Sequence, residues 1–278
     1  MRPRRVSGAS ARPLNANVRR QPRSGVASFG VGGNVRILLA LTCLVVGLLL
    51  AGRAAPAAWV ESLADESQGH TQFEDTILER CPAAAEAVKL QHQAADRRRA
   101  PPIHRVTRPL LQRELILRSE QDQAARGVTK FSETGRGLDM EYMKEVDADN
   151  LRRLKHIIHQ DGFPTARMVG YDGLQAAWLL VQHASDPEFQ AQMLVEVRRR
   201  VNSGELDPQD LALLTDRVLL AHGKKQRYGT QFEVGAQGFT VRPLEDPPHV
   251  DERRRAMGLV SLADYTCILK AMSDVRAK

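Results

Sequence analysis

Two charged residues, Asp216 and Arg217, stand side by side inside the apolar stretch "LLTDRVLL" (213–220). On a helix their neighbours one turn away are mostly leucine, which predicts that both charges are at least partly buried. A buried charge needs an opposite charge or several hydrogen-bond donors beside it. Because adjacent helical residues project about 100° apart, we expect the two charges to pair with different segments. The candidate partners are Arg126, Arg253 and Arg254 for Asp216, and Asp122, Asp246 and Asp251 for Arg217.

His183 is the candidate general acid or base, because histidine is the side chain that titrates near neutral pH without perturbation. It ends the apolar stretch "LQAAWLLVQH" (174–183). With Asp216 as a second catalytic residue, it would support a hydrolytic reaction. The ligand-binding candidates are polar residues close to these two and to the segment "QRYGTQ" (226–231), namely Gln182, Arg217, Gln226, Tyr228, Gln231 and Arg254.

The same polar residues also fit a structural network that fixes the helices in one register. Alternation along a strand would put Gln226 and Tyr228 on one face and Gln231 on the other, unless Gly229 forms a bulge. Not all of these side chains then point into one pocket. A ligand pocket and a structural network therefore both remain open at this point.

Metal and cofactor sites lack support in the sequence. His156 and His159 are one helical turn apart, but no companion ligand stands at a known spacing, so we expect an exposed pair and no metal. No Gly-x-Ser-x-Gly, no His-Glu-x-x-His and no phosphate-binding loop is present. We therefore expect no cofactor.

Helix signals dominate the region from about 105 to 275. A first helix is predicted to end near Gly127, and a second to run from about Asp147 to a glycine stop at Gly162. The stretch 174–183 is apolar nearly all round, which is typical of a buried helix. Later helices are predicted from capping pairs, namely Asp186-Pro187, Asp207-Pro208, Asp246-Pro247 and, for the last helix, Ser261 with Asp264.

One segment, "QRYGTQFEVGAQGFTVRPL" (226–244), departs from helical periodicity. Apolar and polar residues alternate from Tyr228 to Val234 and again at Phe239 and Val241, with a glycine-bounded turn between them. This pattern predicts a β-hairpin. The predicted fold class is therefore mainly α, a compact helical domain with one β-hairpin, because no strand–helix alternation indicates a parallel sheet.

The positive charge of the chain is concentrated at its N-terminus. The 278 residues carry a net charge of +7, but residues 1–53 hold nine arginines and neither lysine nor acid. The remaining residues hold 31 basic and 33 acidic side chains, a net charge of −2. Since the folded region is not basic, we expect no nucleic-acid partner.

An uncharged stretch, "ILLALTCLVVGLLLAG" (37–52), follows the basic tail. As a helix it would span about 24 Å, and with the small residues after it we predict a membrane anchor or signal segment at 37–58. The basic tail is expected in the cytoplasm and the bulk outside. The alternatives are signal cleavage near Ala57, a buried core helix and an organellar presequence.

The predicted organisation has four parts. They are a basic cytoplasmic tail (1–36), a membrane anchor or signal segment (37–58), a partly exposed helical stalk or linker (59–104) and a helical domain with the hairpin (105–275). Cys81 and Cys267 lie outside the apolar stretch. An oxidising compartment would allow them to pair, but two cysteines so far apart are more often unpaired, so free thiols are expected.

A series of short motifs stands in a recognisable order between about 112 and 265. They are Asp122-Gln123 with Arg126, "GFPT" (162–165), Gly170, "QH" (182–183), "LLTDRV" (213–218), "GKKQRYGTQ" (223–231), "PLEDP" (243–247), Val250-Asp251, Arg253-Arg254, "GL" (258–259) and Tyr265. By their order and spacing the region resembles the bacterial domain-of-unknown-function family 6624. Phe163 stands where tryptophan is commoner in that family. The resemblance implies a bacterial setting and an intact domain, but it carries no activity.

These patterns together predict a membrane-anchored extracytoplasmic domain that binds a polar ligand in a pocket near the hairpin. The domain would lie in the periplasm, held at the inner membrane, or be secreted after signal cleavage. The close alternative is a hydrolase that uses His183 and Asp216, and a third class is a structural or assembly module. A cleft joining His183, Asp216 and Tyr228 would favour the first two, whereas separated and fully paired side chains would favour the third.

Overall fold

The computed structural model describes residues 79–98, 105–126, 140–235 and 238–276. In these ranges the chain forms eight α-helices and one antiparallel pair of strands, so the prediction of a mainly α fold with one β-hairpin is confirmed. The helices are α1 (Pro82–Arg98), α2 (Pro109–Ala125), α3 (Met140–Asp161), α4 (Ala166–Gln182), α5 (Pro187–Asn202), α6 (Pro208–Ala221), α7 (Val250–Ala256) and α8 (Leu262–Arg276). The strands are β1 (Phe232–Gly235) and β2 (Gly238–Val241).

The predicted basic tail (1–36) and the predicted anchor (37–58) lie outside the described residues, as does the first part of the predicted stalk. None of the helices in the described ranges combines the length and the apolarity that crossing a bilayer requires.

Two of the predicted capping residues cap their helices as expected, and a third does not. The Asp186 carboxylate accepts from the amide of Phe189 at 3.0 Å, and the amide of Asp264 donates to the Ser261 hydroxyl at 3.1 Å, as the capping patterns predicted. Asp246 behaves differently from the prediction. It adopts a left-handed conformation (φ 47°) and is followed by a 3-10 turn, Pro247–His249, which leads into α7. Its carboxylate contacts the His249 ring instead of a backbone amide.

Helix α4 forms the centre of the main core. Twelve of its residues are buried, as expected for a helix that is apolar nearly all round. Trp178 is the largest of them, and its Nε1 donates to the carbonyl of Asp210 on α6 at 3.2 Å. Helices α2, α3, α5 and α6 pack around α4 through Leu115, Leu154, Val197 and Leu214. This packing holds the C-terminal end of α4, where His183 lies, inside the domain.

A glycine interrupts the first turns of α4. Gly170 has φ 69° and ψ 172°, which is not helical, so hydrogen bonds of the first turn are lost. The freed carbonyls of Arg167 and Met168 accept from the amides of Thr107 and Arg108, at 3.1 and 2.8 Å. The segment before α2 therefore supplies the donors that the interrupted helix lacks.

A second, smaller core lies between the hairpin, α8 and α1. Phe232 of β1 meets Tyr265 of α8 edge-on, with ring centroids 5.7 Å apart, and Ala84 of α1 is buried beside them. Cys81 and Cys267 form a disulfide across 186 positions, with Cα atoms 6.0 Å apart. The expectation of free thiols was therefore wrong, because the fold brings two distant helices together in a way that sequence separation does not reveal.

Candidate functional site

His183 and Asp122 form a buried pair between α4 and α2. Nδ1 of His183, the C-cap residue of α4, lies 2.6 Å from Oδ2 of Asp122. Their side chains are only 2% and 1% exposed. Since an ionised carboxylate can only accept, this contact assigns the proton of a neutral imidazole to Nδ1. Nε2 is then the nitrogen that accepts a hydrogen bond or a proton.

Asp122 also receives donors from Gln123, on the same helix, and from Arg126, the C-cap residue of that helix. Gln123 Nε2 donates to Oδ2 at 2.9 Å, and Arg126 Nη1 donates to Oδ1 at 2.8 Å. Arg126 then reaches α3, where its Nη2 donates to Asp147 Oδ1 at 2.6 Å. These five residues, Asp122, Gln123, Arg126, Asp147 and His183, are called the Asp122–His183 centre below, and they join helices α2, α3 and α4.

The electrostatics of the centre favour a neutral imidazole. Burial lowers the pKa of His183, and the positive charges of Arg126 and Arg217 lower it further, against the opposing effect of Asp122. Burial alone would raise the pKa of Asp122, but His183, Arg126 and Gln123 together hold it below its ordinary value. Near neutral pH the centre therefore combines a neutral histidine with an ionised aspartate.

Several buried polar atoms of the centre have no hydrogen-bond partner within the described part of the chain. They include His183 Nε2, Gln123 Oε1 and Arg126 Nε, and both amide atoms of the adjacent Gln182 behave in the same way. Buried polar groups are nearly always paired with protein or with ordered water. Two acceptors, His183 Nε2 and Gln123 Oε1, and one cationic donor, Arg126 Nε, can therefore each take a further hydrogen bond.

Asp216 is fully buried, as predicted from its apolar neighbours, but the predicted arginine partner is wrong. Its carboxylate accepts from three backbone amides, those of Arg227 at 2.7 Å, Tyr228 at 3.0 Å and Thr230 at 2.9 Å. The Thr230 hydroxyl adds a fourth donor at 2.9 Å. Burial raises the pKa of Asp216, and these donors lower it in part. A turn of backbone thus takes the place of a cation.

Arg254 holds the same turn from its carbonyl side. Its buried guanidinium donates from Nη1 to the carbonyl of Tyr228 at 2.6 Å and from Nε to that of Val260 at 2.6 Å. The guanidinium also lies over the Tyr265 ring, 5.0 Å from its centroid. Asp216 and Arg254 therefore fix the amides and the carbonyls of one turn.

The segment 226–231 is a loop and not the strand that alternation predicted, since β1 begins only at Phe232. Gln226 is buried, and its Nε2 donates to the carbonyls of Gln231 and Arg242 at 2.9 and 2.8 Å. Its Oε1 accepts from the Gln231 amide at 2.9 Å. The side-chain amide of Gln226 thus bonds the backbone of two chain segments. Since this segment is not a strand, the predicted placement of Gln226 and Tyr228 on one face and Gln231 on the other does not apply.

The predicted site residues therefore divide into two groups. His183 and Gln182 lie at the end of α4, whereas Asp216, Gln226, Tyr228, Gln231 and Arg254 belong to the loop next to the hairpin. Arg217 is half-buried on α6 and close enough to His183 for its charge to affect the imidazole. Within the described residues, the hydrogen bonds of Asp216 go to the loop, and the carboxylate partner of His183 is Asp122.

Asp122, Gln123, Arg126 and Asp147 were missing from the predicted site. The signal available for two of them was the acid–arginine spacing of four residues, which places Asp122 and Arg126 on one helix face. His156 and His159 are both exposed on α3. In the described ranges, no group of three His, Cys, Asp or Glu side chains is arranged to hold a metal ion.

Comparison with known proteins shows that one family model matches the part of the chain that contains this centre. The model of a "Family of unknown function (DUF6624)" matches residues 109–278, more than half of the chain. The chain belongs to this DUF6624 family. The predicted resemblance is thereby confirmed, and the match begins at α2, so that it includes the whole Asp122–His183 centre and leaves α1 outside. No curated protein and no solved structure matches the chain.

Proposed function

We propose that this DUF6624 domain binds a polar ligand through the Asp122–His183 centre. One observation carries the proposal: Nε2 of His183 is a buried acceptor, oriented by the Asp122 carboxylate, with no hydrogen-bond partner in the described part of the chain. The loop around Asp216 offers less to a ligand, because its carboxylate already accepts four donors.

The chemistry of the centre favours an uncharged ligand group that can donate a hydrogen bond. A neutral imidazole accepts from a hydroxyl or an amide N–H. An anionic group would meet the carboxylates of Asp122 and Asp147, which share the single guanidinium of Arg126, and a cationic group would meet the positive charges of Arg126 and Arg217 close to the imidazole. Because the atoms concerned are buried, binding requires a local opening of the structure around the end of α4.

The test is ligand-induced stabilisation of the full chain. We expect at least one compound in a panel of uncharged sugars and amides to raise the melting temperature of the parent protein, and to leave that of His183→Ala unchanged. The matched control is His249→Ala, which removes another histidine with an aspartate partner, but an exposed one. Stabilisation by acetate or inorganic phosphate alone, or equal stabilisation of the His183→Ala protein, would rule out the proposed site.

A hydrolase is the second candidate, favoured by the orientation of the imidazole. A histidine whose Nδ1–H is held by a carboxylate presents Nε2 as a general base, as in Ser-His-Asp hydrolases. In this version Asp122, and not Asp216, is the carboxylate that positions His183. Asp122→Asn should then lower kcat on an ester substrate panel far more than it changes KM. No turnover by the parent protein across that panel would remove the support for a hydrolase.

We further propose that the domain acts outside the cytoplasm, with residues 37–58 as its anchor in the inner membrane. The charge asymmetry of the N-terminus supports this orientation. The Cys81–Cys267 disulfide adds independent support, because disulfides persist mainly in oxidising compartments. Cleavage near Ala57 would instead release the domain as a secreted protein. A structural or assembly role is the remaining alternative, and it predicts that no compound stabilises the parent protein.

A further inference from the structure

We propose that the Cys81–Cys267 disulfide is a redox-controlled latch, which holds α1 against α8 when oxidised and releases it when reduced. Cys81 directly precedes α1, and Cys267 lies within α8. Since the family match begins at residue 109, the bond fastens a helix from outside the DUF6624 region to the last helix of that region. The latch is thus an addition to the family domain and not a part of its main core.

The non-covalent contact of α1 with the domain is small. Among its described side chains, Ala84 is buried and Ala85, Ala87 and Val88 are partly buried against the second core. Leu90, which could bury the most apolar surface of these, is 53% exposed. An alanine removes only one methyl group from water, so the contact gains little against the entropy of ordering the helix.

The intrinsic stability of helix α1 does not compensate for this small apolar contact. Helix α1 has 17 residues, close to the length at which isolated helices are only marginally stable in water. Its glutamate–lysine pair, Glu86 with Lys89, is fully on the surface and adds little. Among the described contacts of α1, the covalent bond is therefore the strongest, and breaking it should free the helix.

A dithiol reductant can reach the bond from the side of Cys267, which is partly exposed, whereas Cys81 is buried. Its thiolate attacks Sγ of Cys267, the S–S bond breaks, and Cys81 leaves as a thiolate. The second thiol of the reductant then displaces Cys267 from the mixed disulfide. Two electrons pass to the protein, which gains two thiols, and the reductant becomes a disulfide.

Release of α1 would change how far the domain can move from an anchor. With the latch closed, the chain that follows the proposed anchor is attached to the domain at Cys81. With the latch open, it is first attached near Pro109, where α2 begins, so the connection to the anchor is longer. This consequence rests on the proposed anchor at 37–58. The release of α1 itself does not depend on it, nor on any ligand of the Asp122–His183 centre.

Hydrogen–deuterium exchange of the full chain in detergent tests the latch without membrane or ligand. With dithiothreitol, peptides covering 82–90 should exchange at least about tenfold faster than in the oxidised protein, while peptides covering 174–182 of α4 keep their protection. The variant with both Cys81→Ser and Cys267→Ser should show the same fast exchange without reductant. Cys43→Ser, which removes the third cysteine, serves as the matched control and should behave like the parent protein.

Two results would overturn the latch. If the 82–90 peptides stay protected in the reduced protein or in the double serine variant, apolar contacts alone hold α1. If the α4 peptides lose protection together with α1, the disulfide stabilises the whole domain and does not control one helix. Either result leaves the ligand proposal for His183 unaffected, because that proposal is measured by ligand-induced stabilisation.

Discussion

At the scale of single residues, a buried carboxylate is stabilised here without a cation. Asp216 accepts three backbone amides and one hydroxyl from the loop 226–230, where Thr230 is buried, Tyr228 half-buried and Arg227 exposed. Several donors to one ionised acceptor can replace the charge of an arginine, because hydrogen bonds to charged groups are the strong ones. The carboxylate thereby determines the shape of the loop.

Removal of this carboxylate should be strongly destabilising. Asp216→Ala leaves three amides without their acceptor, and we expect a loss of about 3–5 kcal/mol in the free energy of unfolding. Thr230→Val keeps the side-chain shape but removes the hydroxyl, which donates to Asp216 and accepts from Gln231 Nε2, so its loss should be about 1–2 kcal/mol. Urea denaturation of both variants beside the parent protein measures the difference. An Asp216→Ala protein as stable as the parent would mean that water satisfies the loop amides.

The buried histidine should make stability depend on pH. The pKa of His183 is lowered in the fold, so the unfolded chain takes up a proton first as the pH falls below about 6.5. The associated stability is fully present above pH 6.5 and decreases towards the lowered pKa. Exposed His249 has a raised pKa, owing to Asp246, and therefore contributes in the opposite direction.

We expect His183→Asn to flatten the loss of stability between pH 7 and pH 5. Asparagine can keep a donor towards Asp122 but does not titrate. His249→Ala is the matched control, and its profile should become steeper than that of the parent protein, because a group that stabilises at low pH is removed. Thermal unfolding across this pH range measures both slopes. Parallel profiles for the parent and His183→Asn proteins would mean that His183 has the same pKa in the folded and unfolded chain.

The sequence allowed the burial of these groups to be predicted better than their partners. Leucines one turn away indicated that Asp216 is buried, since burial follows from local helical geometry. Its partners are backbone amides of a loop more than ten residues away, and backbone amides leave no signature in residue type. Asp122 was considered as a partner of Arg217, but its pairing with His183 across 61 positions depends on how α2 packs against α4.

At the scale of elements, helix starts were the most predictable features and helix interruptions the least. Capping by Asp186 and by Ser261 depends on the next three residues only, so it could be predicted locally. The interruption of α4 at Gly170 depends on a distant segment, residues 107 and 108, which supplies the missing donors. A glycine in the sequence does not by itself reveal such a partner.

Gly170→Ala should destabilise the domain by about 1–3 kcal/mol, since its φ of 69° with ψ of 172° lies in a region that is essentially restricted to glycine. An added Cβ would also come within 2.7 Å of Gln112 Nε2. Gly162→Ala is the matched control, because Gly162 also has a positive φ but open space around its Cβ position. We expect the smaller loss for Gly162→Ala in thermal unfolding. Equal losses would mean that contact with Gln112 adds nothing.

At the scale of the whole molecule, charge and covalent structure indicate the same compartment. Residues 1–53 carry nine arginines and no acid, while the remaining chain has a net charge of −2. The Cys81–Cys267 disulfide lies in the second core of this remaining chain. An excess of arginine before an apolar stretch favours a cytoplasmic position for the preceding segment, and the rarity of disulfides in the cytosol favours export of the following domain. The two arguments are independent, so agreement between them strengthens the proposed export.

Reporter fusions test this orientation directly. Alkaline phosphatase fused after residue 60 should be active, because it folds only outside the cytoplasm, and a reporter active only in the cytoplasm should be silent at the same position. Fusions after residue 36, before the apolar stretch, are the matched control and should give the reverse pattern. The size of the mature chain then separates an anchor from a signal peptide, since cleavage near Ala57 would shorten it visibly. Phosphatase that is inactive after residue 60 would remove the export proposal, and the disulfide would then require an oxidant within the cytoplasm.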